Sequence, residues 1–229
     1  MTSIFSAVEL APRDPILGLT EGFNADTNPK KVNLGVGVYY DDNGKLPLLE
    51  AVKAAEKIRM EAAPARGYQP IEGLGTFNTG VQNLIFGAES PLIQAGRAVT
   101  IEALGGTGAL KVGADFLKRL YPASKLYISD PSWENHRALF ESAGFTVENY
   151  PYYDAATKNV DFAAMLDYLS QREANAIIVL HACCHNPTGA DLTAEQWQQV
   201  VNVIREKNLI AFIDMAYQGF ADGIAEDAV

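Results

Sequence analysis

The chain is poor in cysteine and in positive charge. Its 229 residues include 2 cysteines, and 18 Lys and Arg residues stand against 28 Asp and Glu residues, which gives a net charge of −10. Because an acidic surface repels phosphate backbones and anionic lipids, this balance argues against a nucleic-acid partner and against a membrane partner. The longest basic run is Lys30-Lys31, which is typical of a solvated surface.

Long apolar runs are also absent. No segment approaches the roughly 18 apolar residues of a membrane-spanning helix. Residues 1–10 lack the basic and apolar pattern of a secretory signal. Cys183 and Cys184 are adjacent, and neighbours along a chain rarely form a disulfide. These features predict a cytoplasmic protein in a reducing compartment.

The sequence does have an ordinary globular composition, with 48% hydrophobic and 20% charged residues, and a regular alternation of element types. The N-terminal part is rich in turn signals, including the Asp-Asp-Asn-Gly tract that ends at Gly44. We predict strands over residues 99–104, 126–128, 145–150, 177–180 and 209–213, and helices over 49–63, 110–121 and 133–143 and after the capping residues Asp161 and Thr193. The alternation predicts an α/β fold with a mainly parallel sheet that is covered on both faces.

The first predicted strand leads into Gly105-Gly106-Thr107-Gly108 at the start of a helix. Backbone N–H groups and the Thr107 hydroxyl could hold a phosphate there. The segment is not a dinucleotide fingerprint, because Lys111 stands where the third glycine should be, and it is not a Walker A loop. A tight turn that needs glycine for steric reasons is the alternative.

The later strands also end in polar or aromatic residues, at the edge where open α/β sheets bind ligands. Trp133 follows the second strand and could stack on a flat ring, or simply pack. Asn186 follows the fourth strand in an Asn-Pro-Thr-Gly turn. Asp214 ends the apolar run of the last strand, where it would pair with a cation or cap a helix.

His181, Cys183 and His185 alternate beyond the fourth strand and would share one face of an extended chain, a pattern that allows zinc. No further Cys or His pair is present to complete four ligands. We therefore predict no metal site, and we expect both cysteines to act as small buried hydrophobes.

Six segments in order resemble the aspartate and aromatic amino acid aminotransferases of fold type I. They are Val32-Asn-Leu-Gly-Val-Gly-Val-Tyr39, Tyr68-Gln-Pro-Ile-Glu-Gly73, Gly106-Thr-Gly-Ala-Leu110, Asp130-Pro-Ser-Trp-Glu-Asn-His136, His185-Asn-Pro-Thr-Gly189 and Asp214-Met-Ala-Tyr-Gln-Gly-Phe220. The resemblance implies an N-terminal arm with part of a small domain over residues 1–45. It implies an incomplete, three-layer large domain over residues 46–229 that binds pyridoxal 5′-phosphate.

The resemblance implies residues for the phosphate end of the cofactor. Gly105, Gly106 and Thr107 would form the phosphate site, although Gly105 replaces a serine that many aspartate-specific members have. Tyr68 would reach the phosphate of the partner subunit's cofactor. A homodimer with shared active sites is therefore expected.

The resemblance also implies residues around the cofactor ring. Trp133 would stack on it, and Asp214, supported by His136, would pair with its N–H and keep the nitrogen protonated. Asn186 and Tyr217 would hydrogen-bond its phenolic oxygen. Trp133, Asp214 and Tyr217 are thus the candidate catalytic residues.

The implied activity is reversible amino transfer between tyrosine, phenylalanine or aspartate and 2-oxoglutarate. Gly37, with Trp133 and Asn186, would contact the small amino acid or 2-oxo acid substrate. The Gly105-Gly106 and Cys183-Cys184 pairs favour the aromatic type. A strict aspartate enzyme and an inactive fragment are the alternatives within the family. A nucleotide-binding oxidoreductase is the alternative outside it, and the missing third glycine disfavours that class.

None of the 10 lysines lies at the family's Schiff-base position, which follows the strand expected after Tyr217. We therefore expect the 229-residue chain alone to be inactive. In the family, two later strands insert between the first and the last strands predicted here, so the strand at residues 99–104 is expected to lack a partner on that side.

Overall fold

The computed structural model describes Ser6, Glu9, residues 15–33, Gly35 and residues 37–228, and the chain divides into two units, residues 1–67 and 68–229. In the first unit, α1 spans Pro15–Ala25 and α2 spans Glu50–Ala62. The Asp-Asp-Asn-Gly tract forms the predicted turn, in which the Asp41 N–H donates to the Lys45 carbonyl at 2.8 Å. The domain boundary between residues 45 and 46 stays a prediction.

The second unit holds a four-stranded sheet with the strand order β2-β1-β5-β6, in which all three pairings are parallel. Its elements are α3 Gly75–Phe86, α4 Pro91–Gln94, α5 Gly105–Leu120, β1 Leu126–Asp130, α6 Glu134–Ser142, β2 Val147–Pro151, β3 Tyr153–Asp154, β4 Asn159–Val160, α7 Phe162–Ser170, β5 Ile177–His181, α8 Ala194–Glu206 and β6 Ile210–Asp214. Because the strands are parallel, their carboxyl ends share one edge, and His181 pairs with Asp214 there. The short antiparallel pair β3-β4 was not predicted.

Local capping signals are confirmed. The Asp161 side chain accepts a hydrogen bond from the Ala164 N–H at 3.2 Å at the start of α7. Thr193 and Gln196 form a reciprocal capping box at the start of α8. Gly144 follows α6 with φ +91°, a conformation that favours glycine at the end of a helix.

The predicted strand over residues 99–104 is wrong for this chain. Within the described part of the chain, no strand pairs with this segment, and Val99 and Leu104 are 85% and 95% exposed. An extended segment becomes a strand only when a neighbour satisfies its backbone groups. The segment instead contacts the loop before α3, where the Glu102 N–H donates to the Glu72 carbonyl at 2.9 Å.

Two apolar clusters lie on the two faces of the sheet, as expected for a three-layer architecture. One cluster joins the sheet to α7 and α8 through Met165, Leu169, Trp197 and Val200. The other joins it to α5 and α6 and contains the buried residues Leu110, Ala114, Leu126, Ile128, Leu139, Phe140, Phe145, Val147, Ile177 and Val179.

Close packing places α5 against β6. A Cβ added to Gly113 would lie 2.9 Å from the Phe212 ring, and that ring packs edge-on against Phe140 at 5.2 Å between centroids. Among the described residues, no helix is both long and apolar enough to cross a bilayer.

Candidate active site

A carboxylate and a buried imidazole meet at the carboxyl edge of the sheet. Asp214 is the last residue of β6, and its Oδ2 lies 2.7 Å from His136 Nε2 on α6. The His136 side chain is fully buried, whereas 23% of the Asp214 side chain is exposed. The other carboxylate oxygen, Oδ1, receives no hydrogen bond from the described residues. The pair therefore has one oxygen held in place and one oxygen able to accept a ligand's N–H.

His136 is fixed from its other side as well. Its Nδ1 lies 2.9 Å from the Ser132 hydroxyl, which belongs to the turn between β1 and α6. If the hydroxyl donates to Nδ1, the neutral ring carries its proton on Nε2 and donates it to Asp214. The arrangement holds one oxygen of the Asp214 carboxylate in a fixed direction.

Trp133 stands immediately before α6 and is half-buried. Its ring packs edge-on against His136, with 5.3 Å between centroids and an interplanar angle of 86°. The structure therefore places Trp133 and Asp214 against the same imidazole, and their roles toward a cofactor stay predictions.

The Gly105-Gly106-Thr107 segment begins α5, and all three residues are exposed. Gly105 has φ +64°, which a residue with a side chain rarely adopts. Leu104 precedes the helix and gives it no side-chain cap, and the Gly105 N–H donates to the Ala103 carbonyl at 3.0 Å. The N-terminus of a helix attracts anions through its backbone N–H groups and its dipole.

The turn after β5 is held by Asp191. Its two carboxylate oxygens accept the Cys184 N–H at 2.7 Å and the His185 N–H at 2.8 Å. Asn186 follows directly and is exposed, and its N–H donates to His181 Nδ1 at 3.3 Å. Asp191 thus sets the backbone path that presents Asn186 at the sheet edge.

His185 is buried by its own set of partners. Its two ring nitrogens lie 2.9 Å from the Ser129 hydroxyl and 2.8 Å from the Thr188 hydroxyl, and the ring stacks on Tyr152 at 4.0 Å. Burial, together with the nearby rings of His181 and His136, lowers the pKa of His185 to about 3. Burial and His136 likewise lower the pKa of His181 to about 4, so both rings are neutral at physiological pH.

Each of the two possible metal patterns contains a histidine whose ring nitrogens are both hydrogen-bonded. In the pattern of His181, Cys183 and His185, both ring nitrogens of His185 are hydrogen-bonded, and Cys183 is a buried free thiol whose pKa is raised by burial. A second group, His136, His181 and Asp214, offers ligand atoms within 4.8 Å of one another. Both ring nitrogens of His136 are hydrogen-bonded, one to Ser132 and one to Asp214, so this group is a hydrogen-bonded network.

Tyr217 follows β6 in the same unit. Its carbonyl accepts from Cys184 Sγ at 3.9 Å, and its ring packs edge-on against Phe220. Tyr68 is not drawn into the site, because its side chain is fully exposed. Gly37 belongs to the first unit. The roles of Tyr217, Tyr68 and Gly37 stay predictions.

Several residues around the site were not identified from the sequence. Ser132 lies in the turn just before α6, four residues before His136, and this short separation could have indicated the contact. Ser129, Asp191 and Glu102 act on residues far along the chain or on backbone groups, and the sequence carries no signal for those partners.

Comparison with known proteins gives the class of this chain. Residues 29–229 match the family Aminotransferase class I and II. The chain belongs to this family.

The aspartate aminotransferase of Pseudomonas aeruginosa is 63% identical over 226 residues, which cover 99% of this chain and 57% of that protein. The aromatic-amino-acid aminotransferase of Escherichia coli is 49% identical and is covered to the same 57% by 98% of this chain. The aromatic-amino-acid aminotransferase of Burkholderia pseudomallei, solved covalently bound to pyridoxal phosphate, superposes with a TM-score of 0.94 at 62% identity. That match covers 99% of this chain and 57% of the solved one, so the chain spans a little over half the length of these relatives.

Proposed function

We propose that the full-length protein that contains this chain is a pyridoxal-phosphate-dependent aminotransferase. The observation that carries the proposal is the pair of His136 and Asp214, 2.7 Å apart, at the carboxyl end of β6 and beside Trp133. A carboxylate in this position, with one oxygen held by an imidazole and the other open to a ligand, suits a protonated ring nitrogen.

The donor set fits the proposed cofactor at both of its ends. The uncapped N-terminus of α5, with Gly106 and Thr107, suits a phosphate, and the exposed part of Asp214 suits a cationic N–H. When bound, pyridoxal phosphate supplies an electron sink for the carbanion formed at the substrate's α-carbon.

Each residue of the site would then have its own role at the cofactor. Asp214 would hold a proton on the ring nitrogen, and His136 would keep the Asp214 carboxylate oriented. Trp133 covers one face of the ring and excludes water from it. Asn186 and Tyr217 would donate hydrogen bonds to the phenolic oxygen. The turn that carries Asn186 is held by the bond from the Cys184 N–H to Asp191, and Cys184 Sγ donates to the Tyr217 carbonyl.

We also propose the assembly and setting of the full-length protein. Tyr68, whose side chain points into solvent, would reach the cofactor phosphate of a second subunit in a homodimer. The arm and small-domain segment would comprise residues 1–45, ahead of the large domain from residue 46. Free Cys183 and Cys184 are consistent with the reducing cytoplasm.

The proposed substrates are tyrosine, phenylalanine or aspartate as amino donor and 2-oxoglutarate as acceptor, with Gly37 contacting the substrate carboxylate. The glycine pair at residues 105–106 and the cysteine pair at 183–184 favour aromatic substrates, while relatives named for aspartate and for aromatic amino acids are both similar.

Ligand titration tests the cofactor class. The full-length protein should bind pyridoxal phosphate with a change in visible absorbance and should not bind NADH. Tight NADH binding without a response to pyridoxal phosphate would support an oxidoreductase and refute the proposal.

Substrate assays test the specificity. With 2-oxoglutarate as acceptor, phenylalanine or tyrosine should be processed at a rate comparable to that of aspartate. Activity with aspartate alone would return the protein to the strict aspartate type.

A further inference from the structure

The carboxylate of Glu102 links two segments that are far apart in the sequence. Its Oε2 accepts a hydrogen bond from the Leu74 N–H at 2.9 Å, across 28 positions of the chain. Leu74 is the N-cap residue of α3, and its side chain makes no capping hydrogen bond. Glu102 therefore supplies a carboxylate to this end of the helix from another segment.

The backbone of Glu102 takes part in the same contact. Its N–H donates to the Glu72 carbonyl at 2.9 Å, and the buried Asn78 donates to that carbonyl through Nδ2, also at 2.9 Å. The loop from Tyr68 to Leu74 is therefore bound to Glu102 at two points and to α3 at a third. A loop held at three points has a defined path, although the Tyr68 side chain itself is exposed.

Gly73 makes this contact possible. It has φ +91°, and a Cβ added there would lie 2.2 Å from Glu102 Cβ and 2.7 Å from Oε2. Only glycine fits between the loop and Glu102 in this conformation. The close approach of Gly73 to Glu102 is thus a specific feature of the loop.

The two linked segments are the ones to which phosphate binding is assigned above. The Glu72–Leu74 end of the contact lies a few residues after Tyr68, and Glu102 lies three residues before Gly105, where α5 begins. We propose that Glu102 is a positioning residue that fixes the Tyr68 loop relative to the N-terminus of α5. One side chain would thereby couple the segment that serves the protein's own cofactor to the segment that serves its partner's, an inference that rests on the proposed function.

Substitutions at Glu102 separate a positioning role from a role in folding. Glu102→Gln keeps an oxygen that can accept the Leu74 N–H, whereas Glu102→Ala removes it. Glu102→Asp keeps the charge but shortens the reach by one methylene. Glu89→Ala, at an exposed glutamate of the same region, is the matched control.

The measurement is the dissociation constant of the full-length protein for pyridoxal phosphate and for pyridoxal, which lacks the phosphate. We expect Glu102→Ala to weaken pyridoxal phosphate about tenfold or more, as for the loss of one hydrogen bond to a charged group. Glu102→Asp should lie between Ala and wild type, and Glu102→Gln and Glu89→Ala should stay within about threefold of wild type. Binding of pyridoxal should be unchanged in all four variants.

A second substitution tests whether Glu102 acts through Tyr68. In a Tyr68→Phe background, Glu102→Ala should add little further loss, because the group that it positions is already gone. Equal loss of pyridoxal and pyridoxal phosphate, an unaffected Glu102→Ala, or fully additive losses would each overturn the inference. Should Glu102→Ala not fold, the order of wild type, Gln and Asp decides the same question. A wild-type protein that binds no pyridoxal phosphate would instead refute the proposed function.

Discussion

His136 Nε2 and Asp214 Oδ2 lie 2.7 Å apart although the two residues are 78 positions apart in the sequence. The imidazole is fully buried and the carboxylate is partly exposed, so the pair connects the protein interior to the sheet edge. Because Ser132 holds the opposite ring nitrogen of His136, the imidazole cannot rotate without losing two hydrogen bonds. The orientation of Asp214 is therefore set by His136, which is buried, and through it by Ser132.

The Asp214 carboxylate should be essential for turnover. Asp214→Ala in the full-length protein removes the partner of the ring nitrogen, so electron withdrawal fails. We expect activity to fall by orders of magnitude, about 10²-fold or more for one preorganised charged group. Cofactor retention after dialysis should also fall. Turnover close to that of wild type would contradict the role assigned to Asp214, and Asp167→Ala, at an exposed aspartate, is the control.

His136 should matter less than the carboxylate that it supports. His136→Ala removes one hydrogen bond to a charged acceptor, which corresponds to about tenfold in an equilibrium or rate. Ser132→Ala, one step further from the site, should have a smaller effect. Steady-state rates of the three single variants should therefore rank Asp214, His136 and Ser132 in decreasing order of loss. A larger loss at Ser132 than at His136 would show that the order of support is different.

Local signals in the sequence predicted most of this fold. The apolar run at residues 177–180 became the central strand β5, and the capping residues Asp161 and Thr193 began α7 and α8 where expected. These features depend on neighbours a few positions away, so the sequence contains both partners of each interaction.

The features that the sequence did not predict correctly share a physical cause. Residues 99–104 have the composition of a strand, but strand formation needs a partner that these residues do not find. Asp191 and Glu102 are ordinary acidic residues in the sequence, and their roles arise from backbone N–H groups that only the folded chain brings near. The motifs of the family were recognisable as a set, while the residues that hold them in place were not.

Asp191 should stabilise the fold and the site together. Asp191→Ala leaves the N–H groups of Cys184 and His185 without their acceptor, in a turn where Cys184 already has φ +48°. We expect the free energy of unfolding to fall by about 2–4 kcal/mol. Urea denaturation measures this, and Asp167→Ala should stay within about 0.5 kcal/mol of wild type. If Asp191→Ala changes the free energy of unfolding as little as Asp167→Ala does, the turn at Cys184 and His185 does not depend on Asp191.

Gly113 should tolerate no larger side chain. A valine there would push against Phe212, and Phe140 blocks the retreat of that ring. We expect Gly113→Val to destabilise the protein by about 1–3 kcal/mol through overpacking. Gly80→Ala is the matched control, because a Cβ at that helical position meets nothing within 4 Å and should stabilise by about 0.5–1 kcal/mol. If both substitutions stabilise, α5 is free to move away from β6.

The two neutral histidines should make stability depend on pH. In the unfolded chain, His181 and His185 have the ordinary pKa of about 6.5. Burial above all, together with the neighbouring imidazoles, lowers the folded pKa values to about 4 and about 3. Between pH 6.5 and about 4 the unfolded chain therefore binds protons that the folded chain does not, and acidification favours unfolding.

The expected result is a free energy of unfolding that is flat above pH 7 and falls as the pH drops through 6.5. Two such groups give a limiting slope of about 3 kcal/mol per pH unit. Urea denaturation between pH 7.5 and 5 measures the slope above the range in which carboxyl groups titrate. His185→Gln, whose amide can still bond Ser129 or Thr188, should about halve the slope because one of the two proton sites is gone. A slope that His185→Gln leaves unchanged would show that His185 is not held neutral in the folded protein.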